Sequence, residues 1–352
     1  MEKRKLASIK QIDEIKEIEG ADKIEVAQIG GWNVVVEKNK YKKDELIIFC
    51  EIDSLLPLDN PAWAFLEGRS APRSVTIDGK VYTGYKLKSI RLKGQLSQGL
   101  VLPLSVIPVT DMNLGDLLRI GDDVSEVLGI VKWEAAISAQ LAGQVKGNFP
   151  SFLNKTDEER VQNYRKIIQN NVGLLMYVTE KLDGTSTTFY KHEGVFGVCS
   201  RNMDLKETEG NSQWKSAREL KIEENLPEGY ALQGELIGEG IQGNPLKRSG
   251  QEFYAFNVFD IIKGEYLDFE ELTDFLAYRN IPMVPIVASQ FKLTADIQSI
   301  IEMADGRSML SEDCIREGLV FRPLHEMREN GDRGGRFSFK SISNAYLLKH
   351  EN

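Results

Sequence analysis

An apolar run, Leu174-Leu175-Met176-Tyr177-Val178, leads into Glu180-Lys181-Leu182-Asp183-Gly184-Thr185. The run predicts a buried strand. At its end a lysine and an aspartate stand two residues apart, on one side of an extended chain. The glycine that follows permits a tight turn beside a ligand. Charge at a buried strand end is costly unless it is partnered, so any fold that buries this run must answer for Lys181. The plainer reading is a strand that closes in an ordinary Asp-Gly hairpin. These few residues do not separate the two readings, and the rest of the chain has to.

A lysine amine is protonated near neutral pH and has no free lone pair. To act as a nucleophile it must lose that proton through nearby positive charge, desolvation or a metal. Further polar groups follow Lys181 at strand ends: Ser200-Arg201-Asn202, Gln233-Gly234-Glu235-Leu236, Phe256-Asn257-Val258-Phe259-Asp260-Ile261, Arg316-Glu317-Gly318-Leu319-Val320-Phe321 and Phe337-Ser338-Phe339-Lys340-Ser341. Attack on the α-phosphate of a nucleotide triphosphate puts charge on oxygens that Lys340 and a hydrated divalent ion can stabilise. Asp183, Glu235 and Glu317 are the carboxylates to hold that ion, directly or through its waters. Arg201 suits ribose or a nucleic-acid phosphate. Phe259 is the expected base-stacking ring, with core packing nearly as good a reading. Glu180 is placed to accept the exocyclic amine of adenine. Gly238-Glu239-Gly240-Ile241-Gln242-Gly243 fits a dinucleotide glycine pattern, but Asn244-Pro245 follows it and no βαβ unit surrounds it, so it is read as a loop.

The chain has 352 residues, enough for roughly two domains at about 150 residues each. Ala7 to about Val131 reads as short strands broken by Gly, Asn and Asp turns, which predicts a small barrel. Gly143 to Lys155 reads as a linker. Asp157 to Asn170 is an expected helix, with Thr156 and Glu159 as a capping box. Beyond it strands and helices mix without βαβ alternation, which predicts α+β with a largely antiparallel sheet. The domains expected are 1–135 and 150–352. The net charge of −9 argues against a general polyanion binder. Yet Lys80 to Lys93 carries Lys80, Lys86, Lys88, Arg91 and Lys93 with no acidic residue, interleaved with Tyr82 and Tyr85. Lys86, Lys88, Arg91 and Lys93 form a candidate nucleic-acid stripe, against the plainer reading of a solvated strand face. No signal peptide or membrane-length apolar run is evident. Cys50, Cys199 and Cys314 make no metal or redox spacing and suit a reducing, cytoplasmic setting. The three histidines form no triad or zinc spacing.

The Lys181-Leu182-Asp183-Gly184 pattern and the ordered groups after it resemble the motifs of covalent nucleotidyltransferases, which include polynucleotide ligases and capping enzymes. The whole chain resembles the Deinococcus-type family of ATP-dependent RNA ligases. Gly20-Ala21-Asp22-Lys23-Ile24-Glu25-Val26, Glu51-Ile52-Asp53-Ser54-Leu55-Leu56-Pro57 and Ser97-Gln98-Gly99-Leu100-Val101-Leu102-Pro103 match in the first domain, Lys155–Asn163 and Ser343–Lys349 in the second. The resemblance implies an OB-like β-barrel before a nucleotidyltransferase domain with an ATP-grasp-like ligase core. It implies ATP with Mg2+ or Mn2+, AMP carried on Lys181, and Arg160 near the leaving phosphates. The partner implied is a nicked duplex RNA or RNA/DNA hybrid with an RNA 3′-hydroxyl; no obligate protein partner is evident. One departure is that related ligases often carry Lys-x-Lys in the last motif, whereas Ser341-Ile342 follows Lys340. Arg336 and Lys349 are the nearby cations.

Two rivals remain. A DNA ligase or capping enzyme places its OB domain after the last lysine motif, and only twelve residues follow Lys340. A non-catalytic OB-type nucleic-acid-binding protein has no need of Lys181, Glu235, Glu317 and Lys340 together.

Overall fold

The computed structural model describes residues 5–77, 79–107, 118–133, 143–329 and 335–350. Two compact units divide the chain: Met1–Ala136 with Leu347–Asn352, and Ile137–Tyr346.

The first unit is built of short strands. They are β1 (Ala7–Gln11), β2 (Glu14–Glu17), β3 (Ile24–Ile29), β4 (Trp32–Glu37), β5 (Leu46–Cys50), β6 (Ser54–Pro57), β7 (Arg73–Ile77), β8 (Lys80–Lys86), β9 (Ser89–Leu92), β10 (Gln95–Gln98), β11 (Leu100–Pro103) and β12 (Val131–Lys132). They pair in the orders β1-β5-β11, β2-β3-β4, β12-β6-β8-β7 and β9-β10. In β4 the period-2 pattern turns Trp32, Val34 and Val36 inward, and Trp32 meets Phe49 with ring centroids 5.7 Å apart. A second cluster gathers Ile9, Ile48, Leu56 and Trp63. Part of the stretch from Asp111 to Leu128, expected to close this domain, lies outside the described residues.

The second unit has two sheets. The seven-stranded sheet holds β13 (Val145–Asn148), β16 (Thr185–His192), β17 (Val195–Cys199), β18 (Met203–Leu205), β19 (Tyr230–Gly238), β20 (Gln251–Asp260) and β21 (Glu265–Tyr266), in the order β13-β18-β17-β16-β19-β20-β21. The five-stranded sheet holds β14 (Glu159–Arg160), β15 (Leu175–Lys181), β22 (Ile286–Lys292), β23 (Gly318–Pro323) and β24 (Phe339–Ile342), in the order β14-β24-β23-β15-β22. Ladders are antiparallel except β14 with β24. Helices are α1 (Arg165–Asn170), α2 (Ser212–Glu219), α3 (Ile222–Asn225), α4 (Phe269–Tyr278), α5 (Ile297–Met303) and α6 (Asn344–His350).

Helices cover one face of each sheet. Trp214 and Ala217 of α2 and Leu272 and Leu276 of α4 pack on Phe189, Leu232, Leu236 and Phe253 of the larger sheet. Ile168 of α1 and Ile300 and Ile301 of α5 pack on Met176, Val178, Phe321 and Phe339 of the smaller one. Alternation along the strands therefore sends Lys181, Lys340 and Glu235 to the faces away from these helices. No described helix is long and apolar enough to cross a membrane.

Two expectations need correction. The supposed linker contains β13, an edge strand of the larger sheet paired with β18. The supposed helix from Asp157 begins as β14, because Glu159 and Arg160 take register with Phe339 and Lys340 and satisfy the outer edge of β24. The capping residues are used otherwise. Thr156 Oγ1 meets Ser186 Oγ at 3.0 Å, and Glu159 Oε1 accepts from the Arg160 N–H and from Asn163. In that stretch a 3-10 turn at Val161–Asn163 leads into α1, the only α-helical part.

Candidate active site

Lys181 closes β15 in the smaller sheet, and β16 opens four residues later in the larger one. Lys181-Leu182-Asp183-Gly184 is thus a crossing between two sheets, since β15 pairs with β22 and β23 while β16 pairs with β17 and β19. That removes the hairpin reading. Gly184 is required for a reason the sequence did not disclose. It has no left-handed φ; a Cβ there would meet the Leu236 carbonyl oxygen at 2.3 Å and Glu235 Cγ at 3.0 Å. The glycine lets the start of β16 lie directly against the strand that carries Glu235.

The Lys181 ammonium donates to both Glu317 carboxylate oxygens at 2.6 Å. Burial alone would lower its pKa, but Glu317, with Glu235 and Asp183 behind it, outweighs burial and raises it. Glu235 responds to the same crowding. Burial pushes its carboxyl up to about 8, and the Glu317 and Asp183 charges add to this against the opposing pull of Lys181 and Arg201. The carboxylates crowd one another's charge, and a cation set among them would relieve that crowding. Among the described residues no three Asp, Glu, His or Cys side chains form a ready metal cage. The carboxylates of Asp183, Glu235 and Glu317 are of the donor type that a hydrated divalent ion takes.

Glu180 is 1 % exposed. One carboxylate oxygen accepts from the Met309 N–H at 2.7 Å; the other is buried with no partner among the described residues. A buried acceptor left unmade is costly, and an amino-group donor from a ligand would satisfy it. Lys340 lies opposite Val320 on β23 and opposite Arg160 on β14, and its charge reaches Glu317. Arg160 is buried. Arg201 is bonded to Asp157 at 2.5 Å, a partner it would exchange on meeting a phosphate or ribose.

Phe259 is corrected. It pairs with Ala231, four residues along β19 from Glu235, about 13 Å at strand rise. Its ring is packed among Leu153, Tyr190 and Tyr266. Phe256 packs instead against the cluster that holds Leu182 and Ile237. Arg336 does not stand in for a second lysine. It binds Glu326 at 2.8 Å and Asn257 of β20 at 3.0 Å. Nearby, Arg322 binds Glu158 at 2.8 Å, and despite burial the Arg322 and Arg336 charges hold Glu158 below the usual carboxylate range.

In the first unit, Lys88, Arg91 and Lys93 are exposed, Lys93 in a tight turn with Gly94 at positive φ. Lys86 differs: it faces Asp53 at 3.6 Å and lies over the Trp133 ring at 4.1 Å. Tyr85 is a core residue, not part of the stripe.

A family model described as RNA ligase matches residues 175–342, and an OB-fold domain model matches residues 6–104. Among solved structures, a lysine-to-alanine variant of the Naegleria gruberi RNA ligase with ATP and Mn is 42% identical, covering 99% of each chain with a TM-score of 0.86. The chain belongs to the RNA ligase family. A lysine-to-methionine variant of that ligase with AMP and Mn gives the same identity, coverage and TM-score. The Naegleria ligase with PPi matches at 42% identity and 99% coverage of each chain, with a TM-score of 0.85. No curated protein matches. This RNA ligase has the architecture expected: an OB-fold domain, then an α+β domain of mostly antiparallel sheets.

Proposed function

We propose that this RNA ligase seals 3′-hydroxyl/5′-phosphate nicks in duplexes, with RNA on the 3′-hydroxyl side, through AMP carried on Lys181. The observation that carries the reading is the Lys181 ammonium, set at a crossing between two sheets and held by Glu317 at 2.6 Å, with the charges of Glu235 and Asp183 converging on it. In the first step Nζ passes a proton to the Glu317 carboxylate bonded to it, attacks the α-phosphate of ATP to form the P–N bond, and the bond to the leaving pyrophosphate breaks. The AMP then passes to the 5′-phosphate of the nick, and the 3′-hydroxyl displaces it.

Each side chain has a role in this reading. Glu317 holds the ammonium until ligand arrives, and loss of the Nζ proton breaks that pairing. Lys340 and Arg160 neutralise phosphate oxygens, Lys340 toward the α-phosphate and Arg160 toward the leaving group. The unpaired oxygen of Glu180 accepts the adenine amino group, and Phe256 offers the stacking ring. Arg201 takes ribose or nucleic-acid phosphate. A divalent ion held by Asp183, Glu235 and Glu317 through its waters supplies charge that favours the neutral amine and stabilises the transferring phosphoryl group. Lys88, Arg91 and Lys93 grip the duplex. The three cysteines are free and buried, in keeping with a reducing, cytoplasmic setting.

The test is labelling with each nucleotide triphosphate in turn, then a chase with nicked RNA, DNA and mixed duplexes. Label from ATP alone, discharged by a nick with an RNA 3′-hydroxyl, is expected. A protein that takes no label with Mg2+ or Mn2+ would end the covalent reading and leave a binding protein.

A further inference from the structure

We propose that Tyr346 is a positioning residue that fixes Asp183 for the adenylylation of Lys181. The inference rests on the reading of Lys181 as the nucleophile and adds to it a residue of the Ser343–Lys349 segment that had no role assigned.

Tyr346 lies in α6, just after the strand that carries Lys340. It is 8% exposed, and its hydroxyl donates to Asp183 Oδ2. The corner that presents it is tied down by four hydrogen bonds. The Tyr346 N–H donates to Ser343 Oγ at 3.1 Å, and the Ser343 hydroxyl donates to Asp305 Oδ1 at 2.6 Å. The Ser343 N–H donates to the Glu317 carbonyl oxygen at 2.9 Å. Asp305 Oδ1 also accepts from the Ala345 N–H at 3.2 Å. One short segment therefore grips the chain at Glu317 and the side chain of Asp183, two of the acids whose charges act on Lys181.

The chemical consequence is selective. A phenol O–H bonded to a carboxylate is a charge-assisted hydrogen bond. It occupies one oxygen of Asp183, removes most of the side chain's rotational freedom, and leaves the other oxygen for the ligand's hydration shell. An aspartate free to turn would spend part of its time in rotamers that serve the reaction poorly. Tyr346 touches neither the nucleotide nor the reacting atoms in this account; it acts through Asp183.

Tyr346→Phe keeps the buried ring and deletes only the donor. Single-turnover enzyme-AMP formation is measured at saturating ATP, followed for hours so that slow variants are read, in wild-type and Asp183→Asn backgrounds. Tyr346→Phe is expected to slow adenylylation about tenfold, the scale of one hydrogen bond to a charged group. The KM for ATP should stay within about twofold, and the substitution should cost nothing further in Asp183→Asn, because coupled residues are non-additive. Ser343→Ala, which loosens the corner and leaves the ring and hydroxyl in place, should show the same non-additivity at smaller size. Equal slowing by Tyr346→Phe in both backgrounds would overturn the proposal, as would a lowered Tm with an unchanged rate. If Tyr346→Phe fails to fold, Ser343→Ala decides by the same criterion. Wild-type protein that forms no enzyme-AMP would instead defeat the underlying reading, and the two failures are told apart by that control.

Discussion

Two sets of lysines in this molecule live under opposite physical rules. Lys181 ends a strand between two sheets, with three acids acting on it and a direct bond to Glu317. Lys88 and Lys93, with Arg91, stand in water on the β8–β10 segment of the OB-fold unit. In the first setting each charge alters the protonation of the others, because little water screens them. In the second, charges act almost independently and fade with salt. A lysine meant for covalent chemistry therefore needs neighbours at fixed distances. Lysines meant to hold a polyanion need only exposure and number.

The largest expected effect strikes the first set. Lys181→Ala should reduce enzyme-AMP formation to background, read by radiolabel or intact mass; a persistent adduct would move the nucleophile elsewhere and dissolve the contrast. Lys340→Ala should slow the same step by about a hundredfold or more, the usual scale for removing an oxyanion-stabilising group, while nick affinity stays near wild type.

Glu235 sharpens the comparison through pH. Its folded carboxyl titrates at about 8, above the ordinary 4.5, so the folded state holds a proton that the unfolded chain has released. Stability from this group is present below about pH 4.5 and is lost as pH rises toward 8. Glu235→Gln should flatten that decline and, near pH 8, make the protein more stable by on the order of 3 kcal/mol, at about 1.4 kcal/mol per pKa unit with allowance for screening. Denaturant melts across that window check it; parallel slopes for the two proteins would show that Glu235 ionises normally. The smallest effect belongs to the stripe. Replacing Lys88, Arg91 and Lys93 with alanine should weaken nick binding several-fold and reduce the salt slope by about 2.7, from roughly 0.9 per phosphate contact. Self-adenylylation should be untouched, and an unchanged slope would take the stripe out of the duplex contact.

Much of the second unit's strand order was legible because its strands are apolar runs that end in polar groups chemistry needs. Lys181, Glu235, Glu317 and Lys340 stand out in the sequence since each is charged at the end of or within such a run. What was not legible depends on partners far away in the chain. Glu159-Arg160 looks helical until β24 offers its edge. Phe256 and Phe259 fall on opposite faces of a regular strand, and it takes the register shift between Gln233 and Gly234 and the ring of Tyr266 to show where each one packs. Tyr346 sits in the matching Ser343–Lys349 segment, but nothing local singles out its ring, because its hydroxyl meets an aspartate 163 positions earlier. Lys86 looked like the rest of the stripe, and only Asp53 and Trp133 set it apart.

The grip of Glu317 on Lys181 also bears on unwanted chemistry. An amine held protonated and clasped by a carboxylate presents no lone pair to acylating agents, aldehydes or other stray electrophiles. The exposed Lys88 and Lys93 have no such cover. A reagent that scans the surface for free amines would therefore mark Lys88 and Lys93 well before Lys181, which its bond to Glu317 insulates from chemical ageing.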